Sequence, residues 1–100
     1  MAIKVEFNGR LLEMPRLHTT PGGTSLLRLT VDCGEPGDRM PMRVVIKGGA
    51  VSALHAALRP GSEIHAEGVL HGLRGVARRS LLTDLEIVAE RIEIESARKD

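Results

Sequence analysis

The sequence predicts an all-β domain, a five-stranded barrel with one short helix between the third and fourth strands. Three observations support this class. Five stretches alternate apolar and polar residues, the period of a strand with one buried face. One stretch alone has apolar residues at helical spacing, and Gly9 and Gly68 lie inside the long first and fourth strands, where a barrel strand bends. This order indicates the Greek-key OB barrel, with a split sheet carrying one packed helix as the alternative.

The first strand begins the barrel. Ile3, Val5 and Phe7 alternate with polar residues, so Phe7, the one aromatic residue of the chain, is expected to lie in the core. Gly9 marks a bulge or a tight bend, and the pattern resumes as far as Glu13.

The second strand follows a sharp turn. In "HTTPGG", Pro21 presets the backbone and Gly22 supplies a positive φ, which predicts a type II turn. The inward residues after it alternate cleanly, and the last of them is expected to be a buried, inert thiol. These residues are Leu27, Leu29, Val31 and Cys33.

A third strand and the helix come next. The segment "MRVVIK" is rich in β-branched residues and predicts a strand. Val51, Leu54 and Leu58 then have helical spacing, and Pro60 with the following glycine ends the helix.

The last two strands complete the ring. Ile64 and Ala66 are expected to face inward on the fourth strand. In the fifth strand the apolar residues of 85–89 and those of 92–94 have opposite parity. A bulge near residues 89–91, or a strand that passes from one side of the barrel to the other, would reconcile them.

Composition predicts one cytoplasmic domain without a cofactor. We assign residues 1–96 to a single domain and residues 97–100 to a frayed tail. We expect no signal peptide and no membrane span, because the start lacks a leader pattern and the apolar runs are short. A single cysteine favours a reducing compartment. The four histidines lack the spacing of metal ligands, so we expect no metal site.

Charge is unevenly distributed along the chain. Residues 1–79 contain eleven Lys or Arg and seven Asp or Glu, a balance of +4, whereas residues 80–100 contain three and six, a balance of −3. Eleven of the fourteen cations are arginine, whose planar guanidinium suits phosphate oxygens and stacks on bases. A basic body can be ordinary solvated surface or a nucleic-acid-binding surface, and composition leaves both open.

Four segments resemble the bacterial single-stranded DNA-binding protein family, in order and with matching spacing. The length is also similar to that of primosomal replication protein N, a relative of that family. The resemblance implies an OB fold that binds single-stranded DNA in replication, repair or recombination. The segments are "VEFNGRLLEMPRLHTTPGGTSLLRLTV", "MRVVIKGGAVSAL", "LRPGSEIHAEGVL" and "LEIVAERIEI".

The resemblance also implies which side chains bind the nucleic acid. Most match positions that the family places on or near the path of the strand. Lys47 takes a place of a family aromatic, and Arg78 and Arg79 are included for their charge alone. The predicted nucleic-acid-binding residues are Lys4, His18, Arg43, Lys47, Arg59, Arg74, Arg78 and Arg79.

Two departures from the family weaken the expected binding to nucleic acid and to replication partners. The family stacks bases on aromatic side chains, but the corresponding places here hold Pro41, Lys47 and Gly75. The sequence ends in "SARKD", without the acidic, aromatic tail through which the family recruits replication partners. We therefore expect weaker, more electrostatic binding and no recruitment through such a tail.

Two functions remain open. The first is a protein that binds single-stranded DNA or RNA through arginine, as a homodimer or homotetramer paired through the edge strand "AIKVEF". The second is an accessory OB module, like primosomal replication protein N, that acts through contacts with replication or helicase proteins. We expect no catalysis, because the sequence lacks a nucleophile elbow, a P-loop and paired catalytic carboxylates. No membrane partner is expected.

Overall fold

The computed structural model describes residues 2–35, 37–72 and 85–95 of the chain. Among these residues no helix is long and apolar enough to cross a membrane. The described elements are β1 (Ile3–Leu11), β2 (Arg16–Thr19), β3 (Ser25–Asp32), β4 (Pro41–Lys47), α1 (Val51–Ala57), β5 (Glu63–Gly72) and β6 (Leu85–Ile94).

Five of the strands bond in a closed ring. β1 pairs antiparallel with β5, and β5 pairs antiparallel with β6. β6 lies parallel to β4, β4 is antiparallel to β3, and β3 returns to β1. β2 pairs with β3 and forms, together with β1, the first strand of the barrel. The ring, with one helix after its third strand, confirms the predicted five-stranded OB barrel.

The first strand of the barrel is broken in the middle. β1 reaches β3 at Arg10 and Leu11, and the chain pairs with β3 again from Arg16 onward. Between these two pairings, the first strand of the barrel contains four residues (12–15), whereas β3 contains two (29 and 30). Pro15 lies in this interval and has no amide hydrogen to continue the ladder. We expected residues 16–19 to form only the approach to the turn. They instead form β2, which pairs with β3.

The turn between β2 and β3 uses a different glycine from the predicted one. The amide of Gly23 donates to the carbonyl of Thr20 (2.8 Å), and the amide of Thr20 donates to the carbonyl of Thr24 (2.8 Å). The positive φ belongs to Gly23 (89°) and not to Gly22, so the prediction of a type II turn is wrong. Gly23 takes the left-handed conformation that closes a three-residue hairpin loop.

Alternate residues of the strands and one side of α1 fill the barrel. Of the inward residues predicted for β3, α1 and β5, all are buried except Cys33, which is half-buried, so those assignments are confirmed. Phe7, expected to lie in the core, is only half-buried and packs against the core from its edge. The core consists of Leu11, Leu27, Leu29, Val31, Val44, Ile46, Val51, Leu54, Leu58, Ile64, Ala66, Ile87, Ala89 and Ile92.

β6 contains the bulge that its change of parity predicts. The successive pairs along β5 are Glu67 with Arg91 and Gly68 with Ala89, so Glu90 is skipped in the register. The extra residue turns the apolar side chains on both sides of it toward the core.

Cys33 extends the inward-facing series of β3 and lies half-buried against the core. Burial raises the pKa of its thiol to about 11, and the neighbouring charge of Asp32 raises that pKa further. The thiol is therefore protonated at neutral pH and is a poor nucleophile, in line with the expected inert cysteine.

We predict that Gly68→Ala lowers the free energy of unfolding by about 1–3 kcal/mol. A Cβ at this position would collide with the carbonyl oxygen of Val88 and the Cα of Ala89, and backbone of a paired strand has little room to yield. Gly49→Ala is the matched control, because a Cβ there meets nothing within 4 Å. Urea unfolding of the wild type and both variants measures the effect. Equal destabilisation by the two substitutions would contradict the close approach.

We predict that Cys33 is alkylated by iodoacetamide about a hundredfold more slowly in the folded protein than in urea, at about pH 7.5. The reason is the rise of its pKa from 9.0 to about 11, which removes most of the thiolate. Since the folded state holds this proton more tightly, the associated stability is present below about pH 9 and is lost as the pH rises toward 11. Mass spectrometry of timed samples measures the rates, and similar rates in both states would contradict the burial.

Candidate nucleic-acid interface

Basic side chains of β2, β3 and β4 share the outer face of the sheet. Residues directly opposite each other in an antiparallel pair point to the same side. Arg16 lies opposite Arg28, and Leu26 lies opposite both His18 and Lys47. The alternation of β4 adds one further arginine. We call this set the basic face, and it consists of Arg16, His18, Arg28, Arg43 and Lys47.

The core dictates which side chains point outward here. Leu27 and Leu29, on either side of Arg28, are 0% and 3% exposed. Val44, next to Arg43, is 0% exposed. Because neighbouring residues of a strand point to opposite faces, burial of these leucines and this valine holds the two arginines in solvent.

The central feature of the basic face is a pair of like charges. Arg16 and Arg28 are directly opposite each other across β2 and β3, and both are exposed. Within residues 2–35, 37–72 and 85–95, no carboxylate lies within 4.0 Å of the charged atoms of any member of the basic face. Like charges directly opposite each other destabilise a sheet, and an anion bound between them would remove that cost.

Arginines on the outer face of β1, β5 and β6 are arranged differently. Arg10 Nη2 lies 3.0 Å from Glu63 Oε2, and Arg91 Nη2 lies 3.0 Å from Glu67 Oε2. Arg10 and Arg91 are therefore paired with carboxylates, whereas no carboxylate of the described residues lies within 4.0 Å of the charged atoms of the basic face.

Asp32 ends the outer row of β3, but its carboxylate is engaged with the backbone. The amides of Met40 and Gly34 each donate to its Oδ1 at 3.0 Å, and these bonds lower the pKa of the carboxyl group. The charges of Arg39 and Arg10 lower it further. Asp32 thus fixes the loop between β3 and β4 and does not neutralise the basic face.

A groove of about 500 Å³ runs beside the basic face. The register places Val45 on the outer side, although it is only 8% exposed. Together with Met14, which is 55% exposed, it gives the groove an apolar surface. Two acidic residues also reach the groove. The lining consists of Glu13, Met14, Arg16, Arg28, Leu29, Thr30, Arg43, Val44, Val45 and Glu86.

The structure brings together three of the eight residues expected to bind nucleic acid. His18, Arg43 and Lys47 belong to the basic face and are exposed. Lys4 lies apart from them, on β1 opposite Val69 of β5.

The other four predicted residues do not contribute to the described surface in the same way. The guanidinium Nη1 of Arg59 donates to the carbonyls of Ala56 (3.0 Å) and Leu58 (2.9 Å), so this side chain fastens the chain at the end of α1. Arg74, Arg78 and Arg79 lie outside the described residues.

Sequence reasoning left two members of the basic face out of the predicted set. Arg28 has outward parity within the alternation of β3, a signal that was available from the sequence. Arg16 gave no such signal, because Met14 and Pro15 look like the end of the first strand and hide the pairing of β2 with β3.

The basic face has no phenylalanine, tyrosine or tryptophan on which bases could stack, and the His18 imidazole is its one ring. Phe7 is the one aromatic residue of the chain, and it packs against the core. Apart from the His18 imidazole, any ligand of this face is therefore held by charge, by hydrogen bonds and by the aliphatic surface of the groove.

Comparison with known proteins does not place the chain in a family. No protein-family model matches it. A search of curated proteins finds no match either. The functional interpretation consequently depends on the geometry and charge of the chain's own side chains.

Proposed function

We propose that the protein binds single-stranded nucleic acid, and single-stranded DNA above all, along the basic face. The observation that carries this proposal is the juxtaposition of Arg16 and Arg28, which are directly opposite and without a carboxylate partner among the described residues. A phosphate between two guanidinium groups accepts charge-assisted hydrogen bonds from both and cancels their repulsion.

The position of the basic face in the barrel supports the same ligand. OB barrels bind oligonucleotides or oligosaccharides across the face of their second and third strands, which are β3 and β4 in this chain. A nucleic acid carries one phosphate charge per nucleotide, which complements Arg28, Arg43 and Lys47, whereas a neutral oligosaccharide carries none. The fold indicates where a ligand lies, and the side chains indicate which one it is.

Binding is expected to be electrostatic and weaker than that of proteins with aromatic platforms. Each stacked base contributes about 1–3 kcal/mol in such proteins, and the basic face offers no Phe, Tyr or Trp for stacking. Met14 and Val45 supply only aliphatic contact in the groove. The protein is suited to loose, salt-sensitive association with single strands.

The cellular role that fits this binding is DNA replication, repair or recombination in the cytoplasm. The four segments that resemble the bacterial single-stranded DNA-binding protein family support this role, and so does the barrel. An accessory module that contacts replication or helicase proteins is the second candidate, favoured by the lack of an aromatic platform. If the titration described below shows no binding of nucleic acid, the accessory module becomes the proposed function.

The open edge of β1 supports a homodimer or a homotetramer. β1 pairs with β5 from Ile3 to Arg10, whereas among the described strands its other edge pairs with β3 only at Arg10 and Leu11. Ile3 is 57% exposed, and Val5 is only partly buried. Antiparallel pairing of this edge with that of a second copy would satisfy the free backbone groups and cover these side chains.

We predict that the protein binds a labelled oligothymidine of about 20 nucleotides at about 20 mM salt, with a log–log salt slope near −3 if four cations contact phosphates. Arg28→Gln and Arg43→Gln should each weaken binding about 3–10-fold and make the slope shallower by about 0.7. Arg91→Gln is the matched control and should leave both quantities unchanged, because Arg91 lies on β6, outside the basic face, in a salt bridge with Glu67.

Fluorescence anisotropy measures this binding, and oligouridine in parallel compares DNA with RNA. Absence of binding at about 20 mM salt and high protein concentration would contradict the proposal. An Arg91→Gln variant as weak as Arg28→Gln would contradict the assignment of the surface.

We predict that the amides of residues 3–8 that point away from β5 are protected from hydrogen exchange at high protein concentration and exchange faster on dilution. Pairing between two copies would supply their acceptors, and dilution would remove them. Hydrogen-exchange mass spectrometry, with light scattering for the molar mass, follows both changes. A monomer mass at every concentration, with unprotected edge amides, would refute the paired edge.

A further inference from the structure

Glu6, His65 and Glu67 form a cluster on the outer face of β1 and β5, away from the basic face. Glu6 and Glu67 are directly opposite each other across the two strands, and His65 precedes Glu67 by two residues on the same side of β5. A pair of directly opposed carboxylates is unfavourable in a sheet unless a positive charge lies between them.

The three side chains converge at a spacing that suits a metal ion. His65 Nε2 lies 2.9 Å from Glu6 Oε2 and 3.9 Å from Glu67 Oε2, and the three ligand atoms all lie within 4.8 Å of one another. Ligands of a tetrahedral zinc ion are about 3.4 Å apart when the metal–ligand bonds are about 2.1 Å. The two distances from His65 Nε2, 2.9 Å to Glu6 and 3.9 Å to Glu67, lie below and above this ligand spacing.

The orientation of His65 leaves its Nε2 atom available for a metal. Its Nδ1 lies 2.7 Å from Asn8 Oδ1. An amide oxygen accepts hydrogen bonds, so Nδ1 carries the hydrogen and donates it. Nε2 faces the carboxylates of Glu6 and Glu67, and either a proton or a metal ion on this nitrogen satisfies all three groups. Histidine ligands of metals commonly donate their other ring nitrogen to an oxygen in this way.

The surrounding charges leave room for a divalent cation. Arg91 Nη2 lies 3.0 Å from Glu67 Oε2, the oxygen that also faces His65, and Arg91 Nε lies 3.8 Å from Glu93 Oε2. With a neutral imidazole, the three glutamates and one arginine of this patch carry a net charge of −2. The His65 side chain is 21% exposed and that of Glu6 is 64% exposed, so an ion has access from solvent.

We propose that Glu6, His65 and Glu67 bind one divalent transition-metal ion of the zinc class. An imidazole nitrogen with two carboxylates suits zinc, cobalt or nickel, whereas magnesium and calcium prefer ligand sets made of oxygen alone. The ion links β1 to β5. It thereby stabilises β1, whose other edge, among the described strands, pairs with β3 only at Arg10 and Leu11. The proposal is independent of nucleic-acid binding.

Tag-free protein, cleared of metal with a chelator, is titrated with zinc chloride in a calorimeter. We expect one ion per chain, and thermal unfolding should occur about 5 °C higher with excess zinc than with excess magnesium. His65→Gln and Glu6→Gln should each weaken zinc binding at least tenfold. His71→Gln is the matched control and should bind like the wild type, because His71 is an exposed histidine of the same strand outside the cluster.

Cobalt(II) provides a second measurement that does not depend on stability. Its tetrahedral absorption bands should appear in the wild type and in His71→Gln, and should be lost in His65→Gln and Glu6→Gln. The proposal is overturned if zinc shows no saturable binding to the wild type. It is also overturned if His71→Gln weakens binding as much as His65→Gln, since the metal would then bind elsewhere.

Discussion

Closure of the barrel depends on one exchange of partners along β1. Arg10 is in register with Glu63 of β5 on one side and with Asp32 of β3 on the other, so the chain passes between two strands within a few residues. At Gly9 the backbone lies so close to β3 that a Cβ would collide with the Val31 side chain and lie only 3.0 Å from the Asp32 carbonyl oxygen. The inward residues can form one continuous core only because β1 crosses β3 at this distance.

The chemistry of the surface follows from that closure. Once Leu27 and Leu29 of β3 and Val44 of β4 are buried, the intervening arginines must point to solvent. The break near Pro15 then returns the chain to β3 as β2 and places Arg16 opposite Arg28. The core thus stabilises a surface whose own charges repel, which is the arrangement expected of a site that an anionic ligand completes.

Local patterns in the sequence predicted most of the fold and part of the site. The alternation of β3, the helical spacing of Val51, Leu54 and Leu58, and the parity change in β6 are local properties, and the structure confirms all three. The turn was predicted with the wrong glycine, because "PGG" fits two turns whose difference lies in the backbone dihedral angles.

Relations between distant segments could not be predicted in the same way. The Arg16–Arg28 pair depends on the length of the break near Pro15, which the sequence does not reveal. The cluster of Glu6, His65 and Glu67 depends on the register of β1 against β5. A single sequence carries no direct signal of either register. The spacing of histidines along the chain therefore did not reveal side chains that converge across two strands.

The most direct test of the basic face is a double-mutant cycle on Arg16 and Arg28, measured as thermal stability at low salt with and without a single-stranded oligonucleotide. Without nucleic acid, Arg16→Gln or Arg28→Gln alone should stabilise the fold, and the second substitution should add little, giving a repulsive coupling of about 0.5 kcal/mol. With saturating oligonucleotide, each substitution should instead lower the unfolding temperature relative to the wild type. Independent destabilisation by both substitutions in free protein, unchanged by the oligonucleotide, would contradict the assignment of this face to an anionic ligand.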